Sequence, residues 1–124
     1  MINFIQCVRR KPGLPLTEFR AAWQEYGKIA RELAEEVGAT RLSLSSTLAV
    51  DANLSLMADR GVFGPFDGVL EMRLESAPAV IERLGRPGVR EQLEALQKHQ
   101  EEFMDLAGSS FFFTVEEVLF DSEE

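Results

Sequence analysis

Apolar and polar positions alternate through residues 2–9, with Ile2, Phe4 and Val8 on one side and Ile5 and Cys7 on the other. A period of two is the signature of a strand, and apolar groups on both sides predict a central one covered on both faces. The KPGLPL turn at residues 11–16 excludes helix and strand, because proline fixes φ and lacks a backbone donor. Beyond it the period changes. Phe19, Trp23, Tyr26, Ala30, Leu33 and Val37 recur three and four apart, an apolar stripe on a helix of about 20 residues. Thr17 is the expected N-cap, Glu18 suits the positive end of the helix dipole, and Gly38 is the expected stop.

Residues 41–50 alternate again, Leu42, Leu44, Leu48 and Val50 against Arg41, Ser43, Ser45 and Thr47, which predicts a strand with one face buried. Residues 51–65 are irregular, with a helical turn expected around 54–58 and turn signals at Gly61, Gly64 and Pro65. A third strand is expected over 66–74, Leu70, Met72 and Leu74 facing one way and Val69, Glu71 and Arg73 the other. A short helix over 77–84 is broken by the glycines of 85–88. A long helix then runs to about Leu106 on a stripe of Val89, Leu93, Leu96, Phe103 and Leu106, with Gly108 as its stop. The last strand is expected over 110–120, carrying Phe111, Phe113, Val115 and Leu119 against Phe112, Val118 and Phe120.

The order β-α-β-β-α-β predicts an α+β, ferredoxin-like domain over residues 1–120, a four-stranded antiparallel sheet with helices on one face, followed by an acidic tail at 121–124. Two helices cover only one face of such a sheet. Strands one and four nevertheless carry apolar groups on both faces, and each large apolar side chain left wet forgoes about 1.5–3 kcal/mol. A homodimer through the open sheet faces is the expected remedy, since it also covers edge strands.

Composition narrows the partners. The chain has 124 residues, 45% of them hydrophobic, enough for a core without a metal or disulfide staple. Its net charge of -8 is placed unevenly: residues 1–90 hold 12 basic and 11 acidic groups, residues 91–124 hold 1 and 10. An acidic last third repels phosphate backbones, so nucleic acid is not an expected partner. No apolar run approaches the roughly 18 residues of a membrane helix, and no signal-peptide pattern opens the chain. Cys7 is the single cysteine and reads as a small buried hydrophobe. Together these features predict a cytoplasmic protein.

The stretch VRRKPGLPLTEFRAAWQEYGKIAREL resembles the opening of EthD-type proteins of the dimeric α+β barrel superfamily. The resemblance rests on Arg9-Arg10, Pro12-Gly13, Glu18-Phe19 and Trp23, and continues in FDGVLEMRLES, EEFMDL and FFFTVEE. It implies a homodimer that binds a small hydrophobic or aromatic metabolite, with cofactor-free oxygenase, cyclase or isomerase activity, or else a carrier or accessory protein of a degradation pathway. Family members often carry a histidine shortly after the helix aromatic; here Tyr26-Gly27 stands in that place. A phenol is a poor base at neutral pH.

The candidate site residues follow. Tyr26 and Glu71 are the candidates for proton handling. Arg9 and Arg73 are expected to anchor a ligand, with Trp23, Phe111 and Phe113 as apolar walls of its cavity. For each a structural role competes: Trp23 and Tyr26 lie on the helix stripe, and Glu71 and Arg73 suit an ion pair. His99, the single histidine, sits in the polar run Gln97-Lys98-His99-Gln100-Glu101 and is expected to face solvent. A lone imidazole excludes the two-histidine metal patterns. No phosphate loop, nucleophile elbow or dinucleotide fingerprint is present, so neither metal nor cofactor is expected.

Overall fold

The computed structural model describes residues 1–48, 51–59 and 65–122. Strand β1 (Ile2–Arg10) is central, as its two apolar faces require, and pairs antiparallel with both of its neighbours. The turn after it contains Gly13 at a φ of 85°, a left-handed conformation open to glycine. Helix α1 (Leu16–Glu36) is capped by Pro15 and not by Thr17: no side chain bonds to its first turn. Proline fits there because its missing N–H is one that the helix start leaves unpaired. At the other end Gly38 takes a φ of 76°, and its N–H bonds to the Glu35 carbonyl while that of Ala39 bonds to Ala34, a Schellman stop.

Strand β2 (Arg41–Ser46) is shorter than the alternation of 41–50 suggested; Val50 lies outside the described residues. Helix α2 (Asp51–Asp59) contains the expected turn at 54–58 and buries no side chain, whereas Gly61 and Gly64 fall outside the described residues. Strand β3 (Gly68–Leu74) is followed by helix α3 (Ala77–Leu84), whose N-cap Ser76 accepts a bond from the Ala79 N–H at 3.3 Å. Helix α4 (Pro87–Phe103) and strand β4 (Met104–Val115) complete the fold.

The junction of α4 and β4 departs from the pattern. The helix stops at Phe103 and the strand begins at Met104, because Met104 pairs with Arg10 and the Phe103 carbonyl accepts the Lys11 N–H at 3.0 Å. Gly108 therefore lies inside the strand, in a bulge where residues 106–109 stand opposite the single Val8. The Asp105 carboxylate accepts the Gly108 N–H, and Ser109 Oγ donates to the Asp105 carbonyl while accepting from the Arg9 N–H, so the bulge satisfies its own polar groups. The strand also ends at Val115, short of Phe120. There Arg73 grips both oxygens of Glu116 at 2.7 and 2.6 Å and Asn3 adds a third bond. Val118, Leu119 and Phe120 follow as exposed, non-strand residues.

The sheet order is β2-β3-β1-β4, the four-stranded antiparallel arrangement of the ferredoxin-like α+β fold. Val8, Leu70, Met72 and Leu74 on one face pack with the stripes of α1 and α4 into a single core. Register places Asn3, Ile5, Cys7 and Arg9 on the opposite face, beside Val69, Glu71 and Arg73 of β3 and Phe112 of β4. No described helix is long and apolar enough to cross a membrane.

Candidate ligand cavity

Close-packed interiors leave few voids larger than a water molecule. Between the sheet and the helices, however, lies a cavity of about 550 Å³. Phe4 and Met72 form its floor, Leu33, Leu93 and Leu96 its roof, and Phe111 and Phe113 of β4 one side. These last two, with Leu106 from the bulge, keep 36%, 55% and 42% of their surface exposed, so the cavity opens along the β4 edge. Its walls are apolar apart from Gln6, Gln97 and Gln100, and no charged residue lines it.

Gln6 is the informative one. It sits on the core face of the central strand between Phe4 and Val8, 3% exposed, where an apolar residue is the rule. The Tyr26 hydroxyl donates to its Oε1 at 2.7 Å and accepts from Gln100 Nε2 at 2.8 Å. Tyr26 is itself fully buried, with its ring stacked between Trp23 at 5.5 Å and His99 at 6.0 Å and edge-on to Phe103. Burial pushes its pKa up from the ordinary value, and the hydrogen bond accepted from Gln100 only partly opposes that. At neutral pH it is a hydrogen-bonding phenol.

The remaining candidates divide between the two faces of the sheet. Phe111 and Phe113 line the cavity, and Tyr26 stands directly behind its polar end. Trp23 is fully buried beside it but is not part of the lining; its Nε1 donates to the Ser45 carbonyl at 3.1 Å. Arg9, Glu71 and Arg73 all lie on the opposite, open face. Arg9 reaches the Pro65 carbonyl at 3.2 Å and lies over the Phe66 ring at 4.3 Å. Arg73 takes its carboxylate from Glu116, whose pKa falls below the ordinary glutamate range chiefly through the hydrogen bond from Arg73. Glu71 is exposed, opposite Ile5 on one side and Ser43 on the other. The sheet separates these charges from the cavity.

His99 corrects the expectation of a solvent-facing imidazole. Its side chain is only 17% exposed, and Nδ1 is buried without a partner. The stripe of α4 steps from Leu96 through position 99 to Phe103, so the helix period carries His99 inward despite its polar neighbours. The signals for the polar end were present in the chain: a glutamine interrupting an apolar strand face, and polar residues filling the gap in that stripe. Among the described residues no three His, Cys, Asp or Glu side chains converge as metal ligands would.

No family model matches the sequence, and no curated protein matches it. Solved structures do. A dimeric protein of unknown function and ferredoxin-like fold from Bacteroides fragilis aligns with a TM-score of 0.62 at 9% identity, over 91% of this chain and 93% of its own. An EthD family protein from Bacillus halodurans aligns with a TM-score of 0.62 at 10% identity, over 94% and 99%. SnoaB, a cofactor-independent oxygenase from Streptomyces nogalater, aligns with a TM-score of 0.55 at 16% identity, over 97% of each chain. At such identities the likeness defines the fold. It is the ferredoxin-like α+β fold, which the chain shares with the dimeric protein, the EthD family protein and the oxygenase.

Proposed function

We propose that the protein binds a small, neutral, largely apolar or aromatic metabolite in the cavity between sheet and helices. The observation that carries this reading is the cavity itself: about 550 Å³, apolar walls, and a fixed polar end built from Gln6, Tyr26 and Gln100. That is the usual composition of a small-ligand site, with apolar surface for affinity and a few polar groups for orientation. Phe111 and Phe113 act as walls and Tyr26 as the support of the polar end, while Trp23 braces the Tyr26 ring. The protein works as a homodimer through the open sheet faces, around Ile5, Cys7, Val69 and Phe112, and acts in the cytoplasm. Arg9, Glu71 and Arg73 then belong to the dimer interface and not to the ligand.

Titration with the neutral dye Nile red tests the reading. Saturable, blue-shifted emission is expected, and it should be lost in a Leu93→Trp variant that fills the cavity and keeps its circular dichroism. Dye binding that survives Leu93→Trp would place the apolar surface elsewhere and refute the proposal.

A second reading, cofactor-free oxygenation, draws support from the fold shared with SnoaB and from a polar end able to hold a carbonyl or enol oxygen. The lining has no carboxylate or imidazole to act as base, so an already acidic substrate is required. Oxygen uptake with an anthrone, diminished by Tyr26→Phe, is its signature. Binding without uptake leaves a carrier.

A further inference from the structure

We propose that the cavity selects ligands presenting a hydrogen-bond acceptor and a donor side by side, because the Tyr26 hydroxyl forces Gln6 and Gln100 into opposite roles. The inference rests on the ligand-binding reading above and adds the chemical class of what is bound.

A hydroxyl has one proton, so a phenol held between two amides donates to one and accepts from the other. Tyr26 donates to Gln6 Oε1 and accepts from Gln100 Nε2. Each amide has two ends, and one end of each is now used. What remains is the amino group of Gln6 and the carbonyl of Gln100, neither of which has a protein hydrogen-bond partner among the described residues. Both side chains line the cavity, and Gln6 is 3% exposed, so its free end is met by whatever enters the cavity. Turning both amides over and reversing the hydroxyl exchanges the two roles. It still leaves one donor and one acceptor. The pair is complementary in either sense as long as the phenol keeps its proton, and burial holds it in that form well past neutral pH.

Two classes are excluded. A carboxylate brings two acceptors and a charge to a wall with no cation, so one oxygen faces a carbonyl and neither is neutralised. A neutral ester also brings only acceptors. A primary amide, a lactam or a hydroxy-ketone satisfies both ends. A buried polar group left unpaired weakens binding by about tenfold or more.

Displacement of Nile red by four probes of one shape tests this: naphthalene, naphthamide, methyl naphthoate and naphthoate. Naphthamide should bind at least about tenfold tighter than either naphthoate form. In Tyr26→Phe the amides are uncoupled, and the ratio of naphthamide to methyl naphthoate should fall towards one while naphthalene affinity holds. Should Tyr26→Phe fail to fold, Gln100→Leu serves. It leaves only the Gln6 end and should move the ratio towards methyl naphthoate. Naphthoate or its ester binding as tightly as naphthamide, or a ratio unmoved by both variants, overturns the selectivity. Failure of every probe to displace the dye, naphthalene included, overturns the cavity as a ligand site instead.

Discussion

Substituting alanine at Gly68 would place a methyl group where α1 seats its tryptophan on the sheet. The added carbon stands 2.6 Å from Trp23 Cε2 and 2.8 Å from both Cζ2 and Nε1, whereas carbon atoms rest about 3.5–4.0 Å apart. The indole must therefore retreat by about 1 Å. It has no free space, being fully buried and stacked between Phe19 at 5.8 Å and Tyr26 at 5.5 Å. Retreat from the sheet also lengthens the 3.1 Å bond to the Ser45 carbonyl beyond hydrogen-bonding range. Overpacking of this kind costs about 1–3 kcal/mol and the buried hydrogen bond about 1 kcal/mol more. The expected loss is therefore about 2–4 kcal/mol, or about 8–16 °C in Tm for a domain of this size. Urea unfolding followed by the emission of the single tryptophan, with circular dichroism as second probe, measures it. In a Trp23→Phe background the same substitution should cost at least about 1 kcal/mol less, because the smaller ring clears the methyl. A Gly68→Ala protein within about 0.5 kcal/mol of the parent, or an equal cost in both backgrounds, would refute the steric argument.

Three further outcomes are expected. Tyr26 is the single tyrosine, so phenolate absorbance reports it alone. Its titration midpoint should lie above the ordinary value of about 10, and its contribution to stability, complete below that value, should vanish as pH rises through the raised one; a midpoint at or below that of free tyrosine contradicts the burial argument. Glu116 has a lowered pKa, so its pair with Arg73 should contribute fully above the ordinary glutamate pKa of about 4.3 and be lost as pH falls through the depressed value. Urea midpoints of the parent should therefore drop more steeply at acid pH than those of Glu116→Gln, and parallel curves would show the pair to be inert. Phe112→Asp, which sets a charge on the open face beside Ile5, should sediment as a folded monomer where the parent is expected to sediment as a dimer; a dimer unchanged by it moves the interface elsewhere.

The elements legible in the chain were those whose pattern reflects one local period. Phe19 to Val37 marked α1, and the alternation of β1 and β3 assigned every side chain to its correct face. The α4–β4 junction was not legible, because Phe103 and Leu106 continue the helical spacing although Met104 already pairs with Arg10. Only a partner distant in sequence reveals that change. For the cavity, Phe111 and Phe113 were readable as apolar walls and Tyr26 as a buried aromatic. Its polar end was marked only by the interruption of a strand face at Gln6 and by polar residues such as Gln100 in the helix, and their meeting at one hydroxyl emerges from the fold. Alternation also groups Arg9, Glu71 and Arg73 correctly on one face. It cannot say that the empty volume lies on the other, because that depends on how far the helices stand from the sheet.

The bulge in β4 decides which phenylalanines line the cavity. Before it Met104 points to the helices from an even-numbered position; after it the odd-numbered Phe111 and Phe113 do. Residues 106–109 against Val8 thus act as a parity switch in the strand. Pairing with Gln6 and Phe4 sets the faces of Phe111 and Phe113. A slip of the strand by one residue would therefore turn the aromatic triplet over and send Phe112 into the cavity, whereas a deletion absorbed within the bulge would leave the faces as they are. A slip of register trades cavity wall for open-face surface, and a change confined to the bulge reshapes the entrance alone.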